Sequence, residues 1–363
     1  MANFKFTGEM IFPKVNAKRP FVRKFSGGAD KKTPMAALNL GIKASDNNMA
    51  FVEMFGMEQK VIKTMNTDNE KIEFPWEDRF DEEIIKTVAN YKKITVDLGG
   101  ELGRKDFVSE YDAILYLKDA LGTYKGKVCI TGQMEKQWYK DRYYDKFKIQ
   151  NVYAVDADVK NKFTLTVDIY YTKGSIDDKD FKKESRIYLD GYIKQYINKD
   201  EGTRFIPQQF VLDGNKVDFE NEKHVAQFDY RKKYMSTDKK TVVHMLWDVN
   251  YLNGADTVDF DESQLTKAQK EQVELGLATV ESFKPRGDIY GDRVSEFRLS
   301  KPNLTGDFAD GLVDTELKVS EFEEQLYVPN ATEEKLEDVV KKAEAKAEVK
   351  AEEPQIDDDD LFS

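Results

Sequence analysis

Through the first third of the chain, apolar and polar residues alternate over short stretches, the period-two signature of half-buried strands. Phe4–Phe12, Met35–Lys43 and Met49–Gly56 read as strands, the last two joined by the turn-like Ser45-Asp46-Asn47-Asn48. A polar stretch with a short helix expected at Asp81–Asn90 follows. At Glu110–Leu121 the spacing becomes helical, with Ile114, Leu115, Leu117 and Leu121 on one stripe. Alternation returns in Lys127–Trp138 and Arg142–Val155. Three strands, a helix and two strands is the order of an OB-fold, the five-stranded Greek-key barrel that commonly binds oligonucleotides. Gly8, Gly132 and Gly191 each interrupt an apolar-x-Gly-x-apolar strand pattern, where a bend, bulge or close backbone approach is expected.

The order recurs more loosely downstream. Arg186–Tyr196, Arg204–Leu212, His224–Arg231 and Val242–Tyr251 read as strands. Gln264–Phe283 reads as a helix with Ser263 as its N-cap, and Asp288–Leu299 supplies closing strands. Beyond Tyr327 the chain turns to Ala, Glu, Lys and Val with no face to bury, until Pro354 and an acidic tip. The expected class is mainly β with a few helices. An OB-fold domain spans 1–157 with an insertion around 58–107, a second β-rich, OB-like domain spans 158–327, and a flexible, disordered acidic tail spans 328–363.

Charge sharpens this picture. The net charge of −12 argues against a nucleic-acid partner until its distribution is considered. Residues 331–363 hold 12 acids and 5 lysines, a net −7, which leaves −5 for the rest. Residues 1–50 carry 9 Lys or Arg against 3 acids, and residues 123–150 carry 7 against 3. Such polarisation, a basic front and an acidic tail, is a hint of nucleic-acid contact. Cys129 stands alone and the histidines are only His224 and His244, so neither an intrachain disulfide nor a Cys-based zinc site is expected, and no cofactor or metal. No run approaches the ~20 apolar residues of a membrane span, and the first residues lack a signal-peptide core. The expected location is the cytoplasm, of the host if the chain is viral, with no membrane partner.

Candidate chemistry concentrates on one hairpin. Trp138, Tyr139, Tyr143 and Tyr144 crowd it together with Lys136, Lys140, Arg142, Lys146 and Lys148. Sequence-tolerant strand binding needs that combination, cations to track phosphates and flat rings to stack on bases. The alternative is ordinary cross-strand packing of the aromatics. Lys14, Lys18, Arg19, Arg23 and Lys24, with Phe21 among them, form a basic loop that borders the binding face of an OB-fold. No phosphate-cradling glycine loop, His-Glu-x-x-His or nucleophile elbow is present, so the chain is not expected to be an enzyme. Asp310, Glu316 and Lys318 superficially match a metal-dependent nuclease pattern.

The run Gly126-Lys127-Val128-Cys129-Ile130-Thr131-Gly132-Gln133-Met134, then Trp138, then Asp141-Arg142-Tyr143, resembles the last two strands of the bacterial single-stranded DNA-binding protein family. Leu115-Tyr116-Leu117-Lys118 resembles the end of its helix, and Val52-Glu53-Met54-Phe55-Gly56 its third strand. The resemblance covers roughly residues 4–155 and implies base stacking by Trp138 and Phe55. The glycine-to-tryptophan spacing is one residue shorter here, and the place of a second stacking tryptophan falls near Met49. The tip Asp357-Asp358-Asp359-Asp360-Leu361-Phe362 is similar to the partner-docking tips of bacterial and phage members, though Ser363 follows the phenylalanine. The expected function is sequence-independent single-stranded DNA binding in replication, recombination or repair, in a bacteriophage rather than a housekeeping setting. The tip would recruit replication or recombination proteins and compete with DNA, and homo-oligomers remain open. The alternatives are a metal-dependent nuclease and a protein adaptor that binds no DNA.

Overall fold

A computed structural model describes residues 2–329, apart from 15–16, 29–30, 180, 256, 259–261, 263–264, 285–288 and 291–292. In chain order the first half holds β1 (Ala2–Ile11), β2 (Val22–Gly27), β3 (Thr33–Ser45), β4 (Asn48–Met57), β5 (Val61–Met65), β6 (Lys71–Pro75), α1 (Glu82–Thr87), β7 (Ile94–Asp97), β8 (Arg104–Phe107), α2 (Glu110–Thr123), β9 (Lys127–Tyr139) and β10 (Arg142–Val155). The second half holds β11 (Lys162–Tyr171), β12 (Ile176–Asp177), α3 (Phe181–Glu184), β13 (Arg186–Asn198), β14 (Gly202–Asp213), α4 (Glu222–Lys233), β15 (Thr241–Gly254), β16 (Thr257–Val258), α5 (Lys267–Glu274), β17 (Ile289–Tyr290), β18 (Val294–Pro302), β19 (Val313–Lys318) and α6 (Val319–Glu323). The protein is mainly β, and most strands join one continuous sheet.

That sheet curls into two closed rings. In the first, β1 pairs with β9 from Ala2↔Met134 to Gly8↔Val128, then with β3 from Glu9↔Lys43 to Ile11↔Gly41. The hairpin β3–β4 continues the ring, β4 runs parallel to β10 at Phe147↔Val52, and β10 returns to β9. With α2 between the third and fourth strands, this is the connectivity of an OB barrel. Its interior alternates as the pattern requires: Phe4, Phe6, Leu38, Leu40, Val52, Ile130 and Phe147 point inward and are buried. Helix α2, capped by Ser109, adds Ile114, Leu117 and Leu121 to the same core. A Cβ at Gly8 would collide with the Lys43 carbonyl, and one at Gly132 with the Lys148 carbonyl, so both glycines mark crossings where only a bare backbone fits.

The second ring repeats the scheme as β11, β13, β14, α4, β15 and β18. Strand β11 pairs with β15 and meets β13 at Tyr170↔Tyr192, β13 pairs with β14, β14 runs parallel to β18 at Val211↔Arg298, and β18 pairs with β15. Two expectations change here. The segment His224–Arg231 is not a strand but the body of helix α4, started by Asn221, whose side chain accepts from the Lys223 and His224 amides, and ended by Arg231, Lys232 and Lys233. The helix expected over Gln264–Phe283 shrinks to α5, because Thr266 caps it in a capping box with Gln269 and Gly276 takes a left-handed φ of 70° just beyond its end. Ser263 and Gln264 lie outside the described residues. Strand β11 opens this ring although no strand was expected there; Phe163, Leu165, Val167 and Ile169 form its buried face.

The two rings join through their first strands, antiparallel from Ala2↔Val167 to Thr7↔Lys162. One hydrophobic cluster runs through both, with Phe6 in ring contact with Phe163, Phe147 and Tyr251 at centroid distances of 4.8, 4.8 and 5.9 Å. The insertion between β4 and α2 packs a small core of its own from Ile62, Phe74, Trp76 and Val88. Arg79 donates from Nε to Asp112 of α2 at 2.8 Å and so ties the insertion to the first barrel.

Candidate nucleic-acid interface

Strands β2, β3 and β4 present one outer face, because residues opposite each other in an antiparallel ladder share a side. The register puts Arg23, Ala37 and Phe55 in one row and Phe25, Met35 and Met57 in the next. Arg23 lies over the Phe25 ring at 4.5 Å, and Phe25 is 6.2 Å from Phe55. Further along β4, Phe51 opposes Gly41, which leaves its ring without a neighbouring side chain across the ladder. Phe51 is 66% exposed and Phe55 51% exposed. Leaving two phenylalanines so open forgoes more than half of the about 1.5–3 kcal/mol that full burial of each would contribute, which points to a surface that receives something flat and apolar.

The face continues over β10 and β9. Lys148 stands opposite Glu53 across the parallel pair, and Tyr144 and Lys146 share its side of β10. The β9–β10 turn has φ of 48° at Lys140 and 59° at Asp141, both left-handed, as a two-residue type I′ hairpin requires. This tight turn sets Tyr139 6.3 Å from Tyr144, with Lys140 5.3 Å over the Tyr139 ring. Tyr139 and Tyr144 are both exposed.

The expected site residues therefore divide. Phe55, Tyr139, Arg142, Tyr144, Lys146, Lys148 and Arg23 share the outer face; Lys18 and Arg19 are exposed in the loop before β2, and Lys24 is exposed on the side of β2 opposite Arg23. Trp138 and Tyr143 lie opposite each other on the other side of the hairpin, edge-to-face at 4.8 Å and half-buried. There Tyr143 donates to the Tyr327 carbonyl at 3.0 Å, and burial pushes its phenol pKa well up. Phe21 is half-buried against Phe12 at 4.8 Å, and Asn39 donates to the neighbouring Pro20 carbonyl, so the loop is fastened to β3. Asp357 to Phe362 lie outside the described residues.

Two side chains on this face, Phe51 and Phe25, were absent from the sequence-based set. The alternation Phe51-Val52-Glu53-Met54-Phe55 carries the signal for the first, since residues two and four apart on a strand share a face. Electrostatics also differ from a simple basic face. Lys146 is 2.8 Å from Glu53 and Lys148 2.5 Å from Glu135, while Lys136 pairs with Asp145 at 2.5 Å on the inner side. Among the described residues Arg23, Lys140 and Arg142 enter no such ion pair, and they add positive charge to the aromatic face.

Among the described residues no group of three His, Cys, Asp or Glu is placed to hold a metal ion, and no helix is long and apolar enough to cross a membrane. Glu316 and Lys318 are exposed at the end of β19, just before α6, where the Lys318 amide donates to Glu321.

No family model matches the chain, and no curated protein matches it in sequence. Among solved structures it is similar to a deletion mutant of the single-stranded DNA-binding protein from Thermus aquaticus, with 8% identity and a TM-score of 0.28 over 69% of this chain and 87% of that one.

Proposed function

We propose that this protein binds single-stranded DNA without sequence preference, through the outer face of its first barrel, and that it serves replication, recombination or repair. The observation that carries the reading is the set of open rings Phe51, Phe55, Tyr139 and Tyr144, accompanied on the same face by Arg23, Lys140 and Arg142. Every base has a π-face, so stacking on such rings, about 1–3 kcal/mol per base, is tolerant of sequence. The cations supply the phosphate term, and Lys146 and Lys148 would exchange Glu53 and Glu135 for phosphate when a strand arrives. The acidic tip Asp357–Asp360 with Leu361 and Phe362 serves as a phosphate mimic toward the same cations and as a docking peptide for partner proteins.

The test is retention of a labelled oligo-dT at low and high salt, with Mg²⁺ present, by the whole chain and by one lacking residues 357–363. Binding should weaken with a slope of about −0.7 per phosphate contact in log–log form. The shortened chain should bind more tightly at low salt only, since the charges are screened beyond about 10 Å at 0.1 M. Cleavage of the strand would favour the nuclease reading, and absence of binding the adaptor reading.

A further inference from the structure

Where the two barrels meet beside the aromatic face, the surface opens into a cleft of about 290 Å³. Its walls come from both barrels: Phe51 of β4 and Tyr144 and Asp145 of β10 on one side, Asn253 of β15 and Ser295 of β18 on the other. The floor is aromatic, made by Phe147 and Tyr251 with ring centroids 5.0 Å apart, both nearly inaccessible to solvent. At the lower end of the range of about 300–1,000 Å³ for small-molecule sites, the space suits one planar ring system.

We propose that this cleft receives a nucleobase from the bound strand, turned out of the run that stacks on the outer face. The inference rests on the strand-binding reading above and names the contact at which the strand leaves the first barrel. Phe51 belongs to both surfaces, 66% exposed on the face and lining the cleft, so a strand on the face passes its mouth. Asp145 selects what enters. Its carboxylate, paired with Lys136, offers phosphate no free cation but accepts from the N–H groups that every base carries on its pairing edge. Lys136, whose side chain is only 8% exposed, lies 2.5 Å from Asp145 Oδ1 and fixes that carboxylate in place. The remaining polar groups are neutral: the Tyr251 hydroxyl 3.4 Å from Ser295 Oγ, and Asn253, whose Nδ2 donates to the Met49 carbonyl at 2.8 Å. Burial pushes the Tyr251 phenol up to about 12, so at neutral pH it stays a hydroxyl that both donates and accepts. An aromatic floor with neutral hydrogen-bonding walls and one carboxylate fits a base and excludes the backbone that carries it.

Oligo-dT in which every thymine is replaced by 5-iodouracil tests this without fixing a binding register, since irradiation joins the base to an aromatic ring in contact with it. With the whole chain, an adduct is expected on Tyr251 as well as on Phe51 and Phe55. A Ser295→Phe chain, which fills the cleft, should lose the Tyr251 adduct, retain that on Phe55, and bind oligo-dT about tenfold more weakly, the scale of one stacked base. Strand binding with adducts confined to the outer face overturns the cleft while the strand-binding reading stands. Failure of the unaltered chain to bind oligo-dT overturns both. The adduct pattern of the unaltered chain decides the matter even if Ser295→Phe does not fold.

Discussion

The two barrels share a connectivity and differ in what lies on the outer surface of their second and third strands. In the first, β3 and β4 leave Phe51 and Phe55 open to solvent. In the second, the corresponding pair β13 and β14 carries Tyr192 and Phe205, and the chain's own β19–α6 segment closes over them. Phe322 sits 4.9 Å from Tyr192 and 4.6 Å from Phe205, and Phe205 is 3% exposed. The cover is fastened along the backbone, with the Phe205 amide donating to the Gln325 carbonyl at 3.0 Å and the Tyr327 amide to the Phe205 carbonyl at 2.9 Å. Burial there raises the Tyr192 phenol pKa. Aromatic residues on an OB surface thus do two jobs in one molecule. Covered, they hold a terminal segment in place; uncovered, they are available to a ligand. The topology is common to both, and the segment that follows the ring decides which job applies.

The sharpest test of this contrast is Phe322→Ala. Truncating a buried phenylalanine costs about 3–5 kcal/mol, so urea denaturation should show a large loss, while oligo-dT affinity measured well below the transition stays unchanged. A binding loss without a stability loss would break the comparison. The reverse pattern is expected on the open face. Phe51→Ala and Phe55→Ala should each weaken oligo-dT binding by about 1–3 kcal/mol and shift unfolding by no more than ~0.5 kcal/mol.

Trp138→Ala sharpens the boundary between the two behaviours. The lost edge-to-face contact with Tyr143 is worth about 0.5–1.5 kcal/mol of stability beyond area burial, and the binding loss should be smaller than for Phe55→Ala. If titration gives the opposite order, the inner side of the hairpin also touches the strand. The smallest effect is expected in acid. The Asp314 carboxylate on β19 accepts from the Glu316 amide and from Lys239, which lowers its pKa from 3.8 to about 2. A depressed carboxylate stabilises the fold above its unfolded value and loses that contribution as pH falls through its folded one. Acid unfolding between about pH 4 and 2 should accordingly be less steep in Asp314→Asn, followed by circular dichroism. An identical acid limb would show that this anchor of the cover contributes nothing.

Much of the first barrel was legible in the chain. Its five strands and helix follow from alternation at Phe4–Phe12, Met35–Lys43, Met49–Gly56, Lys127–Trp138 and Arg142–Val155 and from the stripe Ile114, Leu117, Leu121. In the second barrel the capping residue Asn221 and the closing run Arg231-Lys232-Lys233 marked α4 as a helix, but Ala226, Phe228 and Tyr230 also alternate as a strand would. Strand β11 is equally plain in the alternation of Phe163, Leu165, Val167 and Ile169. Phe51 was readable by its spacing from Phe55. The neutralisation of Lys146 by Glu53 and Lys148 by Glu135 was not, because each pair forms only when a particular register brings different strands together.

What the sequence determined by itself is local: which residues alternate, where helices start and stop, which glycines leave room for a crossing strand, and how charge is divided along the chain. These depend on neighbours a few residues away, where backbone sterics and capping hydrogen bonds act. What only the tertiary structure decided is which side of a strand stays open. Phe55 and Phe205 are both outward-facing phenylalanines on a third barrel strand, yet one meets solvent and the other meets Phe322. Alternation assigns each residue a side of its strand but cannot say what will be packed there. That depends on where a distant segment returns, and burial of its apolar residues, not any local preference, brings it back.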